Sequence, residues 1–241
     1  MTDAVTLLTP QVEVEHYGDS AVLVLAVGGA SEQRWQLVNA IADNLQARAV
    51  PGIYGLIPAF DSVLVEFDSL LISHQAIRAL VEGLTTATTY APIPAATFTV
   101  PVVYGGDHGP DLAEVAQHLE LTPDEVVELH VSSTYTVRML GGPAGAPMMD
   151  GPPFPARIPR RSTPRIQCPA GSIAVAGNQG TIYPFFSPGG WQLIARTPLK
   201  VVDLDANPIS AYRPGDRIRF EPIPAERWAD YAGRKLERHD G

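Results

Sequence analysis

Four arginines, Arg157, Arg160, Arg161 and Arg165, fall within nine residues of the stretch FPARIPRRSTPRIQCPAG, each close to a proline. Guanidinium forks bind carboxylate and phosphate groups bidentately, and proline stiffens the chain that carries them. The pattern therefore points to an anion site. It also suits a solvated loop whose surface ion pairs carry little energy. Downstream, Asn178, Gln179 and Thr181 lie among the turn glycines Gly177 and Gly180, where side-chain amides and exposed backbone N–H groups can face a small ligand. The candidate anion-binding set is Arg157, Arg160 and Arg165 of the cluster, with Asn178, Gln179, Thr181, Tyr183 and Arg196.

His108 stands beside Asp107 and Asp111 in VVYGGDHGPDL. A histidine with carboxylates nearby is a candidate general base, and equally a turn or helix-start residue. His16, His74, His118, His130 and His239 show no metal-ligand spacing, and there is no Walker A, HExxH, or GxGxxG with a distant acid. No metal site is expected. Cys168 is the single cysteine, so an internal disulfide and a cysteine-based zinc cluster are excluded. Placed ahead of Pro169, it reads as buried packing rather than as a nucleophile.

These residues need a scaffold, and the composition supplies one. The chain has 241 residues, 45% of them hydrophobic and 18% charged, which is the balance of a folded protein long enough for two domains. A net charge of −9 argues against nucleic acid as a partner. The N-terminus lacks the pattern of a signal peptide and no apolar run approaches a membrane span. The expectation is a cytoplasmic protein with no membrane partner.

Periodicity predicts two different halves. Residues 1–90 read as β-β-α-β-β-α: strands at Val12 to His16, Ala21 to Val27, Ile53 to Pro58 and Ser62 to Phe67, and helices from Ser31, a plausible N-cap, to Arg48 and from Ser73 to Thr85. This is a small α+β sandwich. The stretch TTATTYAPIPAA, Thr85 to Ala96, reads as a linker. Residues 91–225 begin with a strand at Thr97 to Tyr104 and two short helices, the first with Asp111 as an acid in its first turn, the second with Thr122 as N-cap and Pro123 at N1. Short strands follow in YTVRML, SIAVA, TIYPFF, WQLIAR, LKVVDL and RIRFEPI, separated by Pro/Gly turns as in a sandwich or barrel. Residues 226–241 are charged and read as a surface helix or frayed tail.

The motifs YGDSAVLV, VPGIYGLIPAFDSVLVEFD, VPVVYGGDHGPDLAEVAQHLELTPDEVVELH, TPRIQCPAGSIAVAGNQGTIYPFFSPGGWQLIARTPL and RPGDRIRFEPI run in order from about Tyr17 to Ile223. In this order they closely resemble the B subunits of prokaryotic ATP-dependent 5-oxoprolinase, a family also called allophanate hydrolase subunit 1 that includes the KipI kinase inhibitors. Related domains form the carboxyltransferase part of urea carboxylase. The resemblance implies an α+β fold: an N-terminal α+β domain followed by a cyclophilin-like β-barrel. It implies an enzyme subunit, inactive alone, that works with a C-type subunit of cyclophilin-like build and an A-type subunit to hydrolyse 5-oxo-L-proline to L-glutamate at the expense of ATP. Two alternatives share the scaffold: a KipI-type inhibitor docking on a sensor histidine kinase, and a urea- or allophanate-type carboxyltransferase or amidohydrolase subunit. The chain departs from the family at GGPAGAPMMDGPP, where relatives read like GFAPGFPYLGGLD. Gly142, Ala146 and Met148 stand in place of aromatics, which removes large rigid pocket walls.

Overall fold

A computed structural model describes residues 10–85, 95–142 and 145–238. The chain divides into two compact units, Met1–Pro92 and Ile93–Gly241. Most of the expected linker, and His239, lie outside the described residues.

In the first unit, β1 (Gln11–His16), β2 (Ala21–Val27), β3 (Ile53–Pro58) and β4 (Ser62–Phe67) form one antiparallel sheet in the order β1-β2-β4-β3. Alternation sends Val22, Val24, Val63, Val65 and Phe67 into the core. Val38, Ile41 and Leu45 of α1 (Ser31–Arg48) and Ile77, Val81 and Leu84 of α2 (His74–Thr85) meet them there. The N-cap of α1 is Ala30 rather than Ser31: Gln33 Oε1 accepts the Ala30 N–H at 2.8 Å, the reciprocal half of a capping box without the hydroxyl half. At α2 the Ser73 hydroxyl accepts the Ala76 N–H.

The second unit is a closed seven-stranded barrel. Its strands are β5 (Thr97–Tyr104), β6 (Tyr135–Gly141), β7 (Ala146–Asp150), β9 (Ser172–Ala176), β10 (Gln179–Ile182), β12 (Gln192–Arg196) and β13 (Arg217–Pro222), and they run β10-β7-β6-β13-β5-β12-β9 around the barrel. Only β5 and β13 pair in parallel; the other barrel pairs are antiparallel. Phe98, Val100, Val137, Ile173, Val175, Ile182 and Ile218 fill the main core. A 3-10 turn (Gly106–His108), α3 (Leu112–Leu119) and α4 (Pro123–Val131) follow β5. Thr122 caps α4 with a complete capping box, accepting the Glu125 N–H while Glu125 accepts the Thr122 N–H.

A two-stranded ribbon of β8 (Arg165–Cys168) and β11 (Ser187–Gly189) stands apart from the barrel sheet. Ala174 and Ala176, which alternate with the inward Ile173 and Val175 of β9, join Cys168, Tyr183, Trp191 and Leu193 in a separate buried cluster. The ribbon thus covers an outer face of the barrel, and the sequence reading has no counterpart to β11.

The strand expected in LKVVDL does not form. Lys200 and Val202 make only isolated bridges, to Lys235 and Ser210. Asp203 instead accepts hydrogen bonds from Lys200 Nζ (2.6 Å) and Lys235 Nζ (2.7 Å), holding the segment as a side-chain-tied loop. Among its described residues the expected tail contains the end of a 3-10 turn (Ala225–Arg227) and a four-residue helix, α5 (Trp228–Tyr231). Beyond it the chain returns to the barrel, where Lys200 N–H donates to the Arg234 carbonyl and Leu236 is buried in the main core. One apolar side chain in a charged segment helps dock it.

Candidate functional site

The site is built around Asp111. A Cβ on Gly109 would collide with the Ile194 carbonyl, so glycine lets the loop after β5 lie directly against β12. The Asp111 N–H then donates to the Leu193 carbonyl at 3.0 Å. Its carboxylate does not cap α3; it points away, and Asp111 is only 2% exposed. Oδ2 accepts the Leu193 N–H at 2.7 Å. Oδ1 accepts from Arg161 Nη1 at 2.9 Å and from Arg165 Nη2 at 2.6 Å.

The main chain that carries both arginines is fixed. Arg165 opens β8, and the Arg161 N–H donates to the Gly190 carbonyl at 2.8 Å. Two cations share one buried anion, and the exposed Glu114 carboxylate stands 3.9 Å from Arg161 Nη1. Arg161 Nε and Arg165 Nη1 are buried and find no hydrogen-bond partner among the described residues. Arg160 lies alongside, its guanidinium 5.8 Å from the centre of the Trp191 ring, at cation–π range.

Cys168 and Tyr183 form the floor beside Arg165. Gly189 makes room for this: a Cβ there would collide with the Tyr183 hydroxyl. Burial pushes the Cys168 thiol up, against the pull of Arg165. Burial also raises the Tyr183 hydroxyl, to about 12, with Cys168 adding to the effect. Both groups are neutral at ordinary pH, so the local charge is that of the arginines, Asp111 and Glu114.

The remaining candidates lie in two other places. Arg157 is exposed next to the Ile158–Gly177 bridge, and its carbonyl accepts from His118 Nε2 at 3.0 Å. Asn178 is exposed in the β9–β10 turn, where its carbonyl accepts the Gly151 N–H at 2.7 Å, and Gln179 opens β10. Thr181 is buried two residues before Tyr183, with its hydroxyl unpartnered among the described residues.

His108 and Arg196 meet around Trp228. The His108 ring stacks on the indole at 4.4 Å, and the Arg196 guanidinium lies 5.3 Å from the same ring centre. Burial, then the charge of Arg196, holds His108 below the usual imidazole range, with Asp107 pulling the other way. Arg196 Nε donates to the Ala170 carbonyl at 2.8 Å. Asp111, one of the two carboxylates that made His108 a candidate base, is committed to the arginines.

The node thus gathers Arg161, Arg165 and Tyr183, with Arg160 at its margin. Sequence reasoning missed Asp111 as its centre, because an Asp ahead of an apolar helical run has an ordinary explanation as a helix-start acid. It also missed Gln192, Trp191 and Trp228, which carry no local signal.

The family described as carboxyltransferase domain, subdomain C and D, matches residues 12–212. The B subunit of 5-oxoprolinase from Bacillus subtilis (strain 168) is 35% identical over 235 residues, covering 93% of this chain and 98% of that protein. The chain belongs to the family of 5-oxoprolinase B subunits. Among solved structures, TTHA0988 resembles this family member with a TM-score of 0.72 and 33% identity over 85% of the chain, which spans only 40% of the TTHA0988 chain. The Kluyveromyces lactis urea carboxylase gives a TM-score of 0.79 at 19% identity over 98% of the chain and 25% of its own, a likeness of fold. Among the described residues no helix is long and apolar enough to cross a membrane, and no cluster of three potential metal ligands occurs.

Proposed function

We propose that this chain is the B-type component of a cytoplasmic ATP-dependent 5-oxoprolinase, which opens the lactam of 5-oxo-L-proline to L-glutamate together with a C-type and an A-type subunit. The observation that carries this reading is a joint one. The chain is similar over 93% of its length to a protein named as the B subunit of 5-oxoprolinase, and it holds a node of two arginines oriented by one buried aspartate. The substrate is a carboxylate, and its ring opening develops further negative charge on oxygen. Arg161 and Arg165 serve as the electropositive wall that binds and steadies such charge. Asp111 is a positioning residue: it fixes both guanidiniums in place before any ligand arrives.

Two features support the need for partners. The β8–β11 ribbon beside the node presents Ile166, 88% exposed, and Phe186, 64% exposed, near its edge; large apolar side chains next to a charged site are what an interface between subunits covers. The two helix N-termini of the second unit also do not suit a chain of phosphates. The N-termini of α3 and α4, the natural phosphate cradles, carry Asp111 and Glu114, and Asp124 and Glu125. ATP is therefore assigned to a partner, and the chain alone is inactive.

The test is to co-express the chain with C-type and A-type subunits, purify the assembly, and follow 5-oxoproline-dependent release of phosphate and glutamate. Arg165→Gln is expected to lower turnover by more than about tenfold, the scale of one lost charge-assisted contact. An assembly that forms but hydrolyses no 5-oxoproline overturns the function, and unchanged turnover in Arg165→Gln overturns the assignment of this face.

A further inference from the structure

A cavity of about 220 Å³ lies between α3 and the Ile158–Pro159 segment, with Gln192 in its wall. At ~30 Å³ per water in the liquid, that is room for a small ring. We propose that this cavity is a subsite for the N–H of an amide or lactam, with the side-chain carbonyl of Gln192 as its acceptor. The proposal rests on the reading above and deepens it, since the N–H is the one donor of a lactam ring.

Gln192 is the decisive residue. It is 2% exposed, and its Oε1 finds no hydrogen-bond partner among the described residues. Its Nε2 is only loosely engaged, 3.4 Å from the Pro159 carbonyl. A buried amide oxygen left unpaired is costly. The terminal torsion of glutamine is broad, so a small rotation can bring Oε1 to a donor in the cavity.

The rest of the lining suits a neutral amide better than an ion. The Glu114 carboxylate is the one negative charge in the wall, and Arg161 Nη1 stands 3.9 Å from it, offsetting its pull on an ammonium. His118 commits its Nε2 proton to the Arg157 carbonyl, so neutral His118 has an acceptor at Nδ1. Gln117 brings a side-chain amide, and Val115 and Ile158 add apolar wall for ring methylenes. The cavity also adjoins the arginine node through the chain itself. Leu193, the residue after Gln192, donates its N–H to Asp111, and Arg161 reaches both Asp111 and Glu114.

The experiment uses the isolated chain and two probes, 2-pyrrolidinone and N-methyl-2-pyrrolidinone, which share a ring and a carbonyl but differ in the N–H. Titrations are followed by backbone amide NMR shifts in α3 and β12, up to about 100 mM, above the millimolar affinities of fragment-sized ligands. Wild type is expected to bind 2-pyrrolidinone at least about tenfold more tightly than its N-methyl analogue, as befits a site that rejects a ligand lacking its donor. Gln192→Met keeps the length of the side chain and removes the unpaired oxygen, so it should fold as well as wild type and bind both probes equally. Equal binding of the two lactams by wild type overturns the proposal. So does discrimination that survives in Gln192→Met, or the absence of saturable shifts from either probe. If the variant fails to fold, the two-probe comparison in wild type still decides. An active assembly whose B-type chain shows no lactam discrimination removes the subsite alone; discrimination in a chain whose assembly is inactive removes the function alone.

Discussion

Replacing Asp111 by asparagine tests the node most directly, since Asn keeps the shape and deletes the charge. The wild-type carboxylate, 3% exposed, takes three hydrogen bonds, from Arg161, Arg165 and the Leu193 N–H. An asparagine has one acceptor oxygen for three donors, and its NH2 group must face one of them. Breaking a buried ion pair by removing one partner costs about 3–5 kcal/mol. Here the arginine side chains are 30% and 21% exposed, so water recovers part of that loss and about 2–3 kcal/mol is the better figure. For a unit of this size the change corresponds to roughly 5–10 °C in Tm, at about 2–4 °C per kcal/mol. The assay is thermal or urea unfolding of the chain, read on the transition of the second unit because two units need not melt together. Paired with Arg165→Gln in a double-mutant cycle, the two changes should be non-additive by about 1 kcal/mol or more. An Asp111→Asn protein that melts within about 1 °C of wild type, or a cycle that closes to zero, means that Asp111 does not organise the arginines.

His130 and Cys168 give two further checks on the second unit. Burial lowers His130 from 6.5 to about 3, with its ring against Tyr135 and Phe220 and its Nδ1 2.6 Å from the Tyr104 hydroxyl; the unfolded chain therefore takes up a proton that the folded one refuses. The stability from this residue is complete above about pH 6.5 and is lost as pH falls towards 3, at about 1.4 kcal/mol per unit, so a urea-midpoint series should slope less between about pH 6 and pH 5 in His130→Gln, and identical slopes would refute the burial. Cys168 is fully buried with its thiol pushed up, so a thiol reagent at about pH 8 should label the native chain only at the rate of its opening and the urea-unfolded chain at once; prompt labelling of the native protein would contradict the packing under the β8–β11 ribbon.

The elements of both units were legible where their signals were local. The apolar run of Ala21–Val27, the alternation in Arg217–Pro222 and the capping box at Thr122 lie within a few residues of what they specify. The ribbon strand Ser187–Gly189 escaped notice because three residues containing a proline and a glycine read as a turn; its partner β8 supplies the order. LKVVDL failed for the opposite reason. Its apolar residues are real core, with the adjacent Val201 and Val202 both buried, yet Asp203 is tied by Lys200 of the segment itself and by Lys235 from the C-terminal stretch, which hold the segment as a loop. Local propensity loses where buried polar groups find partners of their own.

The candidate site is of this second kind throughout. Asp111 meets Arg161, Arg165 and Leu193 across 50, 54 and 82 residues of sequence, so no window of the chain contains both sides of any of its bonds. A run of arginines says that positive charge is available but not which of them a buried anion will organise. Of the four, Arg161 and Arg165 face Asp111, Arg160 lies against Trp191, and Arg157 belongs to another corner. That choice follows from Gly109: only a residue without a Cβ lets the loop approach β12 closely enough for the aspartate to reach Leu193 and turn from the helix it precedes. A glycine with no chemistry of its own therefore decides which arginines are arranged for chemistry, and substituting it should disturb the node without touching a single charge.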